Sequence, residues 1–417
     1  MSTTSSTSGT TSIVSRRILP ARQTRTKVAT YNDVINSSEE FLIEKAFINY
    51  YKRNSRDAGY GIGSKRAKFY KDENYNPSDS RAPKQFNTST TFLTGFTYDI
   101  AMQRHFSLVR NEDHPENPWR TFKVFNIFEF HGLVQHCKRI IGRRATREEV
   151  LLAHNIHHYR KMRDTIWLKT RKEYLVAQNQ YESIYLNCNS YDSALLAAGS
   201  LIEVTIAVIQ RKIKNAFAII RPPGHHATFD IAKGFCIFNN VAIASMNLVK
   251  NHGVKKVLIV DWDIHFGNGT QNIFAEDPNV LYLSLHRYED SQFYPGDIRG
   301  AAENAGHGEG EVSAGFDAAV NDPIGNCLLT PAAYGQMTYM LKNIADGRLV
   351  LSLEGGYDLH SIALSAYECM QVLMGAEPDP IEASLAPQNG CIEAIDLVKR
   401  IQKKYWKCLQ DEVSTSS

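Results

Sequence analysis

These 417 residues contain little that would staple or anchor a chain. Seven cysteines, an odd number with no C-x-x-C pair, provide neither a disulfide scaffold nor a thiolate zinc cluster. A reducing intracellular compartment is the simplest setting for them. No run of 18 consecutive apolar residues occurs, so no transmembrane span is expected. Charge of one sign is also scarce. The net value of +3 is too small for a surface that grips nucleic acid throughout, and no nucleic-acid motif is legible.

The charge is unevenly distributed. Residues 1–90 hold 15 Lys and Arg against 8 Asp and Glu, whereas the rest hold 32 against 36. The first acid is Asp33, and the first twelve residues are almost all Ser, Thr and Gly. The composition predicts a basic N-terminal extension over 1–90, disordered at its start. Ser and Arg without acids also match a transit peptide, and a nuclear address or a phosphate-contacting arm shares the pattern. Within the extension, 34–50 reads as a short helix and 52–90 as polar linker.

From Thr91 the pattern is globular. Thr146 followed by Glu149 predicts a capping box, and Ser190–Gln210 predicts a helix with a small-residue face at Ala194, Ala197 and Ala198. Four short apolar runs then each end in a polar cluster. Ala216–Ile220 leads to Arg221-Pro-Pro-Gly-His225-His226, and Val257–Val260 leads to Asp261-Trp-Asp263-Ile-His265. Val280–Leu285 leads to His286-Arg287, and Leu349–Leu353 leads to Glu354-Gly-Gly-Tyr357. Continuous apolar runs of this length suit buried parallel strands separated by helices. Ligands of such sheets bind beyond the carboxyl ends of the strands, where all four clusters fall. Ile392–Leu409 predicts an amphipathic closing helix.

The clusters carry chemistry. Residues two apart on an extended segment share a face, so Asp261, Asp263 and His265 are expected to point one way. Two carboxylates and an imidazole behind a buried strand need a cation, and Zn²⁺ accepts such N and O donors. His225-His226, on a rigid Pro-Pro-Gly turn, suits acid–base work, with Asp261 and Asn268 as orienting partners. Tyr357, after two glycines, can donate to an oxyanion. Asp317, in Ser313-Ala-Gly-Phe-Asp317, can complete a two-Asp, one-His site; read alone, that segment is a loop.

In order, R-P-P-G-H-H-A, G-F-C-x-F-N-N, D-W-D-x-H-x-G-N-G-T-Q, L-H-R-Y, S-A-G-F-D-A and L-E-G-G-Y-D resemble the zinc-dependent histone deacetylases. The Trp of D-W-D and the Asn of G-N-G resemble the class II branch. The likeness extends upstream through Thr94–Asp99, His114-Pro-Glu116, Arg143–Thr146 and Ser183-Ile-Tyr185, and covers about 91–376. It implies an α/β, arginase/deacetylase-like three-layer fold with a central, mostly parallel sheet flanked by helices. The catalytic domain would be 91–409, followed by a tail at 410–417.

The resemblance also implies site roles. Asp263, His265 and Asp317 would ligate one Zn²⁺. His226 would be general base and then acid, oriented by Asn268. His225 would assist electrostatically, paired with Asp261. Tyr357 would polarise the acetyl carbonyl. Gly234, Phe235 and Tyr294 would line a narrow tunnel for the lysine chain. Asp261, Asp263, His265, Ser284 and Leu285 match a structural K⁺ site. The implied reaction is hydrolysis of N6-acetyl-lysine, in a histone, tubulin or other tail, to lysine and acetate. Nucleus or cytoplasm and a corepressor-type complex go with it, without a membrane.

Three departures accompany the likeness. Phe266 replaces a second His after the metal-binding one, and altered packing is expected there. Ala101 stands where an Arg near the foot of the tunnel is expected. Between Glu311 and Val312 the chain lacks a segment, carrying a strand, a helix and another strand, that relatives have after the glycine-rich loop Gly306–Gly310; a buried sheet then loses backbone partners. Alternatives are a deacetylase of small acetylated amines, an arginase-like hydrolase, which the carboxylate count disfavours, and a non-catalytic acetyl-lysine-binding scaffold.

Overall fold

The computed structural model describes residues 93–109, 114–304, 310–311, 315–381, 389–406 and 409. The N-terminal extension with its expected helix and linker, residues 306–309 of the glycine-rich loop, residues 312–314 and the tail at 410–417 lie outside the described residues.

Among the described residues the strands are β1 Thr94–Tyr98, β2 Lys138–Arg139, β3 Asn215–Ile219, β4 Val257–Asp261, β5 Val280–Ser284, β6 Gly310–Glu311 and β7 Val350–Ser352. Between and after them lie α1 Trp119–Phe130, α2 Arg147–Val150, α3 Ile156–Asp164, α4 Arg171–Gln178, α5 Ser190–Ile209 and α6 Asn240–His252. The remaining helices are α7 Asn268–Phe274, α8 Pro331–Leu341, α9 Leu359–Leu373 and α10 Asn389–Gln402. Each apolar run read from the sequence becomes a strand within a residue or two of its expected bounds. The expected capping box starts α2: Thr146 Oγ1 accepts from the Glu149 amide, and the Glu149 carboxylate accepts from the Thr146 amide.

Every ladder between these strands is parallel. Strand alternation sorts the core into two layers. Phe217 and Ile219 of β3 join Phe96, Phe128, Tyr334, Leu351 and Met370 beneath α1, α8 and α9. Ala218 and Ile220 join Leu201, Ile202, Ile243 and Ile259 beneath α5 and α6. Such a site is intolerant of cavities; Phe217→Ala would cost about 3–5 kcal/mol.

Helix α5 is the one helix among the described residues long and apolar enough to cross a membrane. Most of that surface is buried inside the protein, and its small residues are core positions: Ala194, Ala197, Ala198 and Gly199 all face inward. The closing helix α10 starts earlier than the sequence pattern implied and ends at Gln402, leaving Ile392, Ile395 and Val398 exposed.

The ladders fall into two sheets, β2-β1-β3-β7 and β4-β5-β6. Among the described residues, β7 and β4 therefore each pair on one side only. What links their carboxyl ends is not a ladder but the segment Gly315–Asp317. Phe316 N–H donates to the Gly355 carbonyl (3.2 Å), and Ile264 N–H donates to Asp317 Oδ1 (2.7 Å).

Candidate active site

Strand β4 stops at Asp261, and this corrects the expectation of an extended run through His265. Asp261 Oδ1 accepts the Asp263 amide (3.1 Å), and Asp263 Oδ1 accepts the His265 amide (2.9 Å). Each carboxylate captures the N–H two residues on, and the chain turns instead of continuing flat. The turn divides the side chains. Asp261 Oδ2 faces His225 Nδ1 (3.1 Å) and the Tyr282 hydroxyl (2.8 Å), while Asp263 and His265 face Asp317.

Asp263, His265 and Asp317 are buried, with one donor atom of each within 4.8 Å of the others. His265 Nδ1 lies 3.1 Å from Asp263 Oδ1 and 2.8 Å from Asp317 Oδ2. Two glycines make room for the carboxylates. A Cβ on Gly315 would stand 2.0 Å from Asp263 Oδ2, and one on Gly355 would stand 2.4 Å from Asp263 Oδ2 and 2.5 Å from Asp317 Oδ2. Burial and the Asp263 charge push Asp317 up to about 7. Burial would raise Asp263 too, but His225 and His265 hold it below the usual carboxylate range. Two buried acids, one held up by burial and by the charge of the other, concentrate negative charge that a dication would neutralise. An N,O,O donor set is also one that Zn²⁺ accepts with a position left open. The residues fit the ion.

A second convergence, His225, Cys236 and Glu354, is a hydrogen-bonded support. Glu354 Oε2 accepts the Gly224 (2.6 Å) and His225 (3.1 Å) amides, and Cys236 Sγ accepts the His226 amide (3.5 Å). These bonds fix the turn that presents the two histidines.

The histidines lie in different fields. For His225, burial favours the neutral ring, but Asp263 and Asp261 outweigh it and raise the group to about 10. For His226, burial and the neighbouring His225 and His265 all act downward, well below the usual imidazole value. Its Nδ1 meets Asn268 Oδ1 at 2.9 Å, so the amide oxygen assigns the proton to Nδ1 and leaves Nε2 as a free acceptor.

Gly234, Phe235, Tyr294 and Tyr357 gather around this pair. Gly234 has φ +55°, and a Cβ there would stand 2.6 Å from His226 Cδ2. The Phe235 ring is edge-on to Tyr357 at 5.7 Å, and the Tyr294 ring is edge-on to His226 at 5.0 Å. Ser284 is in ladder register with Asp261, and Leu285 N–H donates to the Asp261 carbonyl (2.7 Å). Phe266 is buried against His286, ring centroids 4.7 Å apart.

Sequence reading missed the layer beneath. Arg120, fully buried on α1, donates to the Gly356 carbonyl (2.6 Å) and to the Glu354 carbonyl. Its guanidinium lies 4.9 Å from the centre of the Tyr357 ring. Arg120, from an element other than the one that carries Ala101, thus places a guanidinium beside Tyr357. Glu116 accepts from Arg120 (3.1 Å), bidentately from Arg221 (2.9 and 2.7 Å) and from the Tyr185 hydroxyl. Burial would raise Glu116, but the Arg221 charge pulls it far below its ordinary value. Asp322 Oδ2 accepts the Tyr357 amide (2.7 Å). The legible signal was Glu116 with Arg120 at i,i+4, but buried partners on remote elements have no sequence signature.

The family model described as histone deacetylase domain matches residues 114–312 and 311–373. The chain belongs to the histone deacetylase family. The two matched pieces meet at the Glu311–Val312 junction. Histone deacetylase HDA1 of Saccharomyces cerevisiae is 38% identical over 376 residues, covering 76% of this chain and 53% of that protein. Histone deacetylase clr3 of Schizosaccharomyces pombe is 40% identical over 366 residues, with the same shares. Polyamine deacetylase HDAC10 of Homo sapiens is 34% identical over 340 residues, 72% of this chain and 51% of that protein. The chain thus spans about half the length of the curated histone deacetylases it matches. The crystal structure of the HDA15 HD domain superposes with a TM-score of 0.68 at 34% identity, covering 77% of this chain and 97% of that one. The arginase/deacetylase-like fold and the class II-like membership expected from the motifs are therefore established.

Proposed function

We propose that this histone deacetylase family member hydrolyses N6-acetyl-lysine in protein tails to lysine and acetate, with one Zn²⁺ per chain at Asp263, His265 and Asp317. The observation that carries the reading is the buried two-Asp, one-His cluster set against two adjacent histidines of opposite protonation bias. When bound, the ion supplies Lewis-acid polarisation of the amide carbonyl and of the attacking water. The chain supplies the remainder. His226 Nε2 takes the proton of the attacking water and returns it to the departing amine, and Asn268 holds the ring in the required tautomer. His225 stays protonated against Asp261 and adds positive charge beside the reacting centre. The Tyr357 hydroxyl, kept protonated because burial raises its pKa, donates to the developing oxyanion. Phe235 and Tyr294 flank the alkyl stem above Gly234.

The same reading assigns a structural K⁺ to Asp261, Asp263, His265, Ser284 and Leu285, on the strength of the motif likeness. Histone or tubulin tails are the substrate class, in the nucleus or cytoplasm, with a corepressor-type assembly as partner. The domain would run 91–409. We further propose that a segment is missing at Glu311–Val312; the matched pieces that meet there and the one-sided pairing of β4 and β7 support this. The test is acetate release from an acetyl-lysine peptide by the purified 417-residue chain, beside Tyr357→Phe and with an acetylated polyamine in parallel. Peptide turnover lost in the variant supports the reading. Turnover of the polyamine alone replaces the substrate class. Stoichiometric zinc with no turnover of either replaces it with the scaffold.

A further inference from the structure

This inference rests on the amide-hydrolase reading above, in which the Tyr357 hydroxyl is the oxyanion donor. Tyr357 follows Gly356, whose φ of +111° lies in the left-handed region. Glycine enters and leaves that region at little cost, so the peptide between Gly356 and Tyr357 is the swivel of the loop. Rotation of this one peptide re-aims the whole phenol. Both ends of it are held. Its carbonyl accepts from Arg120, and its N–H donates to Asp322 Oδ2 (2.7 Å).

Asp322 is buried on the loop that follows Asp317. Its other oxygen, Oδ1, accepts the Ile324 and Gly325 amides (3.0 Å each). Gly325 lies so close to Asp317 that a Cβ there would stand 1.7 Å from the Asp317 carbonyl oxygen. One carboxylate therefore ties the loop that carries Tyr357 to the loop that carries Asp317. Among the described residues it forms no salt bridge, and burial pushes its carboxyl above the ordinary value despite the amides it accepts. Burying such a group is costly. An asparagine oxygen would close the turn over 322–325 alone, without the charge. What the second carboxylate oxygen adds is the bond to Tyr357. We propose that Asp322 is a positioning residue: through the Tyr357 N–H it locks the Gly356–Tyr357 peptide in the orientation that presents the phenol to the scissile carbonyl.

The experiment is a double-mutant cycle on the zinc-loaded full-length chain, read as acetate release from an acetyl-lysine peptide. Asp322→Asn keeps an oxygen for the Ile324 and Gly325 amides and sets a donor against the Tyr357 amide. It should lower kcat about 10–100-fold, the range for a small misplacement of a reacting group, with KM and zinc content unchanged. In a Tyr357→Phe background no hydroxyl is left to aim. There the same substitution should lower the residual rate less than about 2-fold, within the scatter of additive effects. Losses that multiply across the two backgrounds, or loss of zinc from Asp322→Asn, overturn the proposal and leave the hydrolase reading intact. Asp322→Glu keeps the charge on a longer arm; it passes through the same cycle, judged by the same criterion, and decides the matter if the Asn variant does not fold. Absence of turnover by the parent chain overturns both readings.

Discussion

His225 and His226 are consecutive, with ring centroids 4.0 Å apart, yet one is paired with a carboxylate and the other with an amide. The two identical side chains are biased in opposite directions: Asp263 and Asp261 outweigh burial and favour the charged form of His225, whereas burial and the neighbouring imidazoles favour the neutral form of His226. A charge held by Asp261 needs no solvent, and it suppresses protonation of its neighbour. The arrangement depends on the tight turn that Glu354 anchors from β7.

Exchanging the amide for a carboxylate should blur the division. Asn268→Asp gives His226 an ionised acceptor at Nδ1, which favours the imidazolium. The acid limb of the kcat/KM profile should move to higher pH, with zinc content unchanged. An unmoved limb would show that another group sets it.

Tyr357→Phe removes the proposed oxyanion donor and keeps the ring against Phe235 and Arg120. Loss of a single such donor costs on the order of 10²–10³ in kcat. KM and metal stoichiometry should change little. Single-turnover acetate release, with elemental analysis of the same sample, separates the two effects.

Removing the ion should cost stability as well as activity. A ligand held 1,000-fold above its Kd adds about 4 kcal/mol to the folded state. Chelation should therefore lower the thermal midpoint of the parent chain. Asp317→Asn should bind zinc weakly and show almost no further drop on chelation. Equal chelator sensitivity in both proteins would mean that the ion sits elsewhere.

Arg120→Ala deletes a buried cation that holds Glu116 and two carbonyls of the Glu354–Tyr357 loop. Breaking a buried pair from one side costs about 3–5 kcal/mol because the remaining charge is stranded. Urea unfolding should show that loss, and surviving folded protein should retain zinc while losing rate. A loss under 1 kcal/mol, an ordinary figure for exposed pairs, would contradict this account.

Acid stability has its own source. Burial holds His154 down to about 3 and His158 to about 4, whereas unfolded imidazoles bind protons near 6.5. Between those values the unfolded chain carries more protons, so stability present above about pH 6.5 is lost as pH falls toward 4. His158→Phe removes one such contribution, and the slope of the unfolding midpoint against pH should flatten over that window. His154 accepts the Asn239 amide (2.8 Å) and meets the Thr228 carbonyl (2.8 Å), so its substitution would loosen the loop that carries Gly234 and Phe235 as well.

The sequence by itself determined the local features. Four apolar runs became parallel strands; β3, β4 and β7 are largely buried, as an unbroken apolar stretch suggests, whereas β5 leaves Leu283 exposed. The polar clusters fell at their carboxyl ends because that is where each run stops, and Thr146 with Glu149 capped a helix through contacts three residues apart. The motif order identified the family. Tertiary structure alone decided the rest, since it depends on partners far apart in the chain. Asp261 and Asp263 look equivalent in sequence, but backbone capture by each carboxylate turns the chain and gives them different neighbours. Arg120 reaches Tyr357 from more than two hundred residues away, across a fold that no local pattern encodes. The division of the strands into two sheets, bridged beside Asp263 and His265 by Gly315–Asp317, is likewise a matter of which backbone groups meet in space.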